Sequence, residues 1–152
     1  MIRLATGGDL RALVELTRIY YKDHWFGGHT NYDADWTHEQ FKGHIVSPQA
    51  NVILKDDAEQ GILGFSVAMV YPLQWTPQLR CTIAFSYIDE AHRSNGVYGA
   101  LIDNHTLWAK KLNCVDINTG DGAQYKGKFG TVLQPLGFEH MGTDAYKVLQ
   151  YE

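Results

Sequence analysis

Hydrophobic and polar positions along the chain switch between the spacing of a helix and that of a strand, and each switch marks an element. Ile2-Arg3-Leu4 reads as a short first strand. Thr6 with Asp9 three residues later forms a variant capping box, and Leu10, Leu13, Val14, Thr17 and Tyr21 follow at helical spacing, predicting a helix over residues 7–24. Residues 25–35 contain Gly27-Gly28 and read as a loop. Thr37 and Gln40 form a second capping pair that opens a helix ending near Ser47-Pro48. Three strands follow, over residues 51–55, 61–71 and 80–89. Asp56-Asp57 marks a turn after the first, and Pro72 and Pro77 fence the loop between the other two. In the third strand strict alternation places Cys81, Ile83, Phe85 and Tyr87 on one face.

The period then changes abruptly. Val97, Leu101, His105, Trp108 and Leu112 make one stripe of a helix, with Lys110 and Lys111 at the end where its dipole favours cations, and Asn113 as C-cap. A short strand is expected over residues 115–118, and a helix over 123–136 that Gly127 and Gly130 weaken and Gly137 closes. A hairpin follows, with strands 138–141 and 145–149 around Gly142-Thr143-Asp144. The order β-α-α-β-β-β-α-β-α-β-β predicts an α/β (α+β) mixed sheet. Its N-terminal half is an antiparallel meander, and a strand-helix-strand over residues 80–118 makes a right-handed parallel crossover.

Composition narrows the class. The 152 residues are one domain's worth, large enough to bury a core without staples. With 45% hydrophobic and 20% charged residues, the chain has ordinary globular composition. No apolar run nears the length that spans a bilayer, and the first residues lack the layout of a signal peptide. A net charge of -4 argues against a nucleic-acid binder and is weakly compatible with a cationic substrate. Cys81 and Cys114 lie in apolar stretches and read as reduced core residues of a cytoplasmic protein, with a disulfide between them left open. The seven histidines show no metal-ligand spacing and there is no Cys-x-x-Cys, so no metal is expected.

The chemistry concentrates in Ile88-Asp89-Glu90-Ala91-His92-Arg93-Ser94-Asn95-Gly96-Val97-Tyr98-Gly99, where a strand ends, a polar turn follows and a helix begins. The first amides of a helix have no intrahelical partners and carry partial positive charge, so a diphosphate can sit there. Gly96 lets backbone approach phosphate, and Arg93 adds a full charge. A plain strand-helix connection with glycine for tight packing is the competing reading.

Arg93-Ser94-Asn95-Gly96-Val97-Tyr98 resembles the Arg/Gln-x-x-Gly-x-Gly/Ala signature of the GNAT superfamily of acetyl-CoA-dependent N-acetyltransferases. The opening strand and helix, and Gln134-Pro135-Leu136-Gly137-Phe138 with its Leu-Gly-Phe, are similar to the same family. The resemblance implies a single GNAT-like domain with splayed parallel strands 4 and 5 and flanking helices. It implies acetyl-CoA as cosubstrate, with Ile88 and Asn118 against the pantetheine arm and Arg93, Ser94, Asn95, Gly96, Val97, Tyr98 and Gly99 around the diphosphate. Asn118 also suits a turn in Asn118-Thr119-Gly120. Two positions depart from the family pattern. Tyr98 replaces the second glycine, where its ring crowds the phosphates or rotates away. Leu133 stands where many members carry a Tyr that protonates the leaving thiolate. Tyr125 is a substitute acid or a packing residue, and solvent can also protonate a thiolate whose conjugate acid has a pKa near 8.5.

Tyr87 and Asp89 are the candidate bases for the amine, Asp89 being equally a turn carboxylate. Aromatic and acidic residues between Tyr20 and Trp36 suit a cationic acceptor or seal the loop onto the core. The implied function is transfer of an acetyl group from acetyl-CoA to a primary amine of a small molecule or peptide by direct attack. The alternative is a catalytically weak or inactive acyl-CoA-binding or interaction module on the same fold. Neither nucleic acid nor membrane is expected as a partner, and a homodimer is compatible with the sequence.

Overall fold

The computed structural model describes residues 1–23, 25–28, 30–120, 133–139, 147 and 149. Five strands form one sheet in chain order: β1 (Ile2–Leu4), β2 (Ala50–Asp57), β3 (Gly61–Leu73), β4 (Thr76–Ile88) and β5 (Asp116–Thr119). The first four pair antiparallel and β5 joins β4 in parallel. Three helices flank it: α1 (Leu10–Asp23), α2 (Ala34–Val46) and α3 (Val97–Lys111). This is the expected mixed sheet.

Two cores lie on its two faces. On one, Leu13 of α1 and Phe41 of α2 meet Val52, Leu54, Phe65, Val67 and Tyr87. On the other, Val97, Tyr98, Leu101, Ile102 and Ala109 of α3 meet Ile53, Ala68, Val70, Cys81, Ile83 and Ile88. Both faces are covered, so the central strands are nearly continuous apolar runs.

The most consequential departure from the sequence pattern is in β4. Val67 pairs with Phe85 and Ala68 with Ile83, so Ala84 has no partner across the ladder. This bulge shifts the alternation by one residue. Cys81 and Ile83 face α3, whereas Phe85 and Tyr87 face α1 and α2. The four residues expected on one face are divided between two.

Other boundaries moved for local reasons. A 3-10 turn over Gly7–Asp9 precedes α1. There the Asp9 carboxylate accepts from the Thr6 amide at 2.8 Å and hydroxyl at 2.9 Å, and from Arg3 at 2.8 and 2.9 Å. Arg3 also reaches Asp56 at 2.7 Å. The Arg3 guanidinium first, and the Thr6 donors after it, hold the Asp9 carboxyl well below its usual range. Asp33, not Thr37, caps α2, accepting from the Trp36 amide at 2.9 Å. Thr37 instead turns its hydroxyl onto the Asp33 carbonyl at 2.7 Å. Asp56 and Asp57 lie inside β2, and the Asp57 carboxylate then accepts from the amides of Glu59 and Gln60 to form the turn. Pro72 and Pro77 lie within strands, leaving Gln74 and Trp75 as the connection. Asn113 takes φ 56°, the left-handed conformation in which short polar side chains replace glycine after a helix.

A 3-10 turn over Gln134–Leu136 ends at Gly137, φ 87°. The remainder of the helix expected over residues 123–136, and the hairpin apart from residues 138, 139, 147 and 149, lie outside the described residues. Among the described residues no helix is long and apolar enough to cross a membrane. Cys81 is buried and Cys114 half-buried, and they are not bridged.

Candidate active site

Strands β4 and β5 pair only from Arg80 with Asp116 to Ile83 with Thr119. The last paired residue of β4 immediately precedes the Ala84 bulge. From there β4 runs on to Ile88 while β5 ends at Thr119, so among the described residues nothing pairs with this last stretch of β4 on the β5 side, and the edge left there is the wedge between the two strands. Below its apex the strands are tied on the face opposite α3. Arg80 makes a two-pronged ion pair to Asp116 at 2.8 and 2.6 Å, and Thr82 donates to Asn118 Oδ1 at 2.5 Å. The Tyr71 hydroxyl bonds Thr82 at 2.6 Å. Asn118 therefore stands at the root of the wedge, and its side-chain oxygen is occupied by β4.

From the end of β4 the chain makes a 3-10 turn over Glu90–His92 and enters α3. Gly96 caps α3 with φ 73° and ψ 5°, a left-handed conformation that disfavours any residue with a Cβ. A Cβ built there would meet nothing within 4 Å, so the space outside the backbone is open. The first helical hydrogen bond runs from the Ala100 amide to the Gly96 carbonyl at 3.1 Å, so the amides of Val97 and Gly99 in the first turn have no intrahelical partner, whereas those of Arg93 and Asn95 donate within the preceding turn to the carbonyls of Glu90 at 3.4 Å and His92 at 3.3 Å. Ser94, Asn95 and Gly96 are exposed beside this opening. The Tyr98 ring does not crowd it, because Tyr98 is 6% exposed and packs in the core with Ile88, Leu101 and Ile102. Val97 is buried alongside and Gly99 is half-buried. These features fit a diphosphate held by main-chain N–H groups.

The Arg93 guanidinium donates from Nε to the Ile88 carbonyl at 3.2 Å, which anchors the turn to the strand end. That carbonyl, one of the Ile88 backbone groups expected along the pantetheine arm, accepts this bond. Asp89 caps the 3-10 turn through the Ala91 amide at 3.3 Å and bonds His92 Nδ1 at 3.0 Å, while His92 Nε2 meets Gln60 at 2.9 Å. The turn role of Asp89 is thus realised. Tyr87 is 3% exposed and lies on the α1/α2 face with its ring 6.2 Å from that of Phe65. Burial raises its pKa, with the Asp89 charge adding to the effect, so it is a neutral phenol. Leu133 is buried in the α3-side core. Tyr125 lies outside the described residues.

Among the described residues, Tyr20 and Tyr32, two of the aromatics expected to wall an acceptor pocket, serve packing. Tyr20 stacks on Phe85 at 6.0 Å, and burial raises its pKa to about 12. Tyr32 donates to the Val14 carbonyl at 2.7 Å and lies under Arg18 at 5.2 Å. Trp36 remains 67% exposed. The positions of His24 and His29, and the side chains of Trp25 and Phe26, lie outside the described residues. Among the described residues no group of three His, Cys, Asp or Glu side chains could hold a metal ion.

Sequence reasoning missed a polar group beside the wedge. Asn51, Ser66 and His105 are buried between α3 and the sheet, and Ser66 bonds Ser86 of β4 at 2.7 Å. The available signal was a histidine on the apolar stripe of α3 facing a serine in the otherwise apolar β3.

No protein-family model and no curated protein sequence matches the chain. Solved structures do match over almost its whole length. A transcriptional regulator from Bacillus halodurans C-125 is 22% identical, covers 98% of this chain and 99% of its own, and superposes with a TM-score of 0.78. A possible acetyltransferase from Clostridium difficile 630 is 15% identical over 100% of this chain and 98% of its own, TM-score 0.76. An aminoglycoside 6'-N-acetyltransferase from Acinetobacter haemolyticus is 17% identical over 100% and 99%, TM-score 0.72. With four antiparallel strands, a parallel fifth and a glycine-capped helix between the last two, the chain shares the GNAT-like fold of these structures.

Proposed function

We propose that the protein transfers an acetyl group from acetyl-CoA to a primary amine of a small molecule or peptide, by direct attack of the amine on the thioester. The observation that carries this reading is the left-handed Gly96 at the head of α3, open to solvent and set beyond the wedge between β4 and β5. Ser94, Gly96, Val97 and Gly99 would hold the diphosphate chiefly by backbone N–H groups, with Arg93 and Asn95, whose amides donate within the turn, contributing through their side chains. Tyr98 contributes its backbone alone. The pantetheine arm would lie in the wedge between Ile88 and Asn118. The acetyltransferase names of two of the three structural neighbours support the same chemistry.

Of the candidate bases, Asp89 keeps the role, acting through water from the strand end. Tyr87, with its raised pKa, is suited to donate a hydrogen bond rather than to accept a proton. Tyr125 is assigned no part. The cysteines, unbridged and in one case buried, suit a reducing compartment such as the cytoplasm.

Isothermal titration with acetyl-CoA, followed by thiol-release assays across peptides, polyamines and small amines, tests the proposal. Saturable binding with turnover of at least one amine is expected, and no binding at millimolar acetyl-CoA overturns it. A second reading, an acyl-CoA-binding module without catalysis, is favoured by the buried, apolar Leu133 at the position of the family's usual acid. Tight binding with no turnover across the panel would select it.

A further inference from the structure

Four polar side chains form one line between α3 and the sheet. Asn51 Nδ2 lies 3.1 Å from His105 Nδ1, His105 Nε2 lies 2.9 Å from Ser66 Oγ, and Ser66 Oγ lies 2.7 Å from Ser86 Oγ. Asn51, His105 and Ser66 are 4%, 0% and 0% exposed, so they depend on one another rather than on water. The direction of donation follows from the first member. An amide nitrogen can only donate, so Nδ1 accepts and the ring proton sits on Nε2, which donates to Ser66. Burial lowers the His105 pKa to about 4, and the ring is neutral. Ser66 has two acceptors for its own proton, Ser86 Oγ at 2.7 Å and the Phe85 carbonyl at 3.5 Å. The second is at the outer limit of a hydrogen bond, so the proton goes to Ser86. Every donor then points the same way, and the hydroxyl proton of Ser86 is left to donate outward.

Ser86 of β4 pairs with Ser66 of β3, beyond Ile83, the last residue of β4 that pairs with β5. It is half-buried, and it shares the α3 face with Ile88, which packs against the first residues of that helix. The line therefore ends on the α3 face of β4, in the stretch beside the wedge that β5 does not pair.

We propose that Ser86 donates a hydrogen bond to the thioester carbonyl oxygen of the acyl donor, with Ser66, His105 and Asn51 as positioning residues that hold its proton outward. This rests on the transfer function proposed above. The amine lone pair forms the C–N bond while the carbonyl π pair moves onto the oxygen faced by Ser86. That pair returns as the C–S bond breaks and its electrons leave on sulfur. The nitrogen loses one proton and the thiolate gains one, so the reaction balances without a further reagent, and Ser86 keeps its own proton throughout. A donor oriented beforehand needs no reorganisation as charge develops on the oxygen, and aligned neighbours strengthen it.

The test combines kinetics with the infrared carbonyl band of bound acetyl-CoA labelled with carbon-13 at the acetyl carbonyl. The wild-type protein should shift the band to lower frequency. Ser86→Ala should lose most of that shift and drop kcat roughly 100-fold, with the acetyl-CoA Kd changed by less than about twofold. Ser86→Thr should restore both. Ser66→Ala should give a partial loss, and the double variant should match Ser86→Ala alone, because the two side chains act as one unit. Circular dichroism checks that each variant is folded, and Ser86→Ala with Ser86→Thr suffices if Ser66→Ala is not. An unchanged band and kcat in a Ser86→Ala protein that still binds acetyl-CoA would overturn this assignment alone. Failure of the wild type to bind acetyl-CoA would overturn the transfer function along with it.

Discussion

Gly96 and His105 show how single residues set the properties of the site. Gly96 holds φ 73°, where a residue with a Cβ is strained by about 1–2 kcal/mol, yet the space around it is open. Gly96→Ala should therefore lower the melting temperature by several degrees and weaken acetyl-CoA at least tenfold. Gly96→Asn, whose side chain tolerates this conformation, should recover much of the stability and none of the affinity. Calorimetry and titration on both variants separate the two effects. His105 makes stability depend on pH with a definite sign. Its folded pKa is lowered from 6.5 to about 4 by burial, so between these values the unfolded chain binds a proton that the native state refuses. The contribution is complete above about pH 6.5 and falls as pH drops toward 4, by roughly 3 kcal/mol in total. Urea unfolding at pH 7 and pH 4.5 should show this loss in the wild type and its near absence in His105→Gln. Equal losses in the two proteins would refute the assignment.

At the scale of elements, the site depends on how β3 grips the end of β4. A Cβ on Gly64 would come within 2.7 Å of the Tyr87 carbonyl and 2.8 Å of the Ile88 Cδ1, so Gly64→Ala must push the strand end outward. A cost of about 1–3 kcal/mol is expected, read from chemical denaturation, together with weaker acetyl-CoA binding. A variant with unchanged stability would show that β4 moves freely at its end. This contact also marks what was and was not legible in the sequence. The α3 stripe, the glycine at its head, the meander and the parallel crossover follow from periodicity and local chemistry. The bulge at Ala84 does not, because an inserted residue in an apolar strand leaves a run that still reads as alternation. The cap of α2 was displaced because Asp33 and Thr37 both carry capping side chains, and only packing decides between them. Asn118 lies near the end of β5, but its bond to Thr82 joins residues 36 apart in the chain and has no local signal. The polar line through His105 left one local trace, a histidine on the apolar stripe of α3, but its partners come from β2, β3 and β4 and no spacing joins them.

The described residues form a single sheet between two apolar cores, with the candidate site where β5 stops short of the end of β4. A ligand that binds only this folded arrangement stabilises all of it. At 100 times its Kd, acetyl-CoA should add about 2.7 kcal/mol, which for a chain of this length raises the melting temperature by roughly 5–10 °C. Thermal scans with acetyl-CoA, and with an adenine nucleotide lacking the pantetheine arm, check this. Only the former should give the full shift if the wedge takes part.

The parting of β4 and β5 also bears on how the chain reaches its native state. The β3–β4 hairpin closes across two residues, whereas the β4–β5 register must bring together partners separated by an entire helix. Loop-closure entropy favours the hairpin first and the parallel pair late. In stopped-flow measurements, Val67→Ala should slow refolding, while Ile117→Ala should chiefly accelerate unfolding. The pocket would then be the last part of the protein to assemble and the first to come undone.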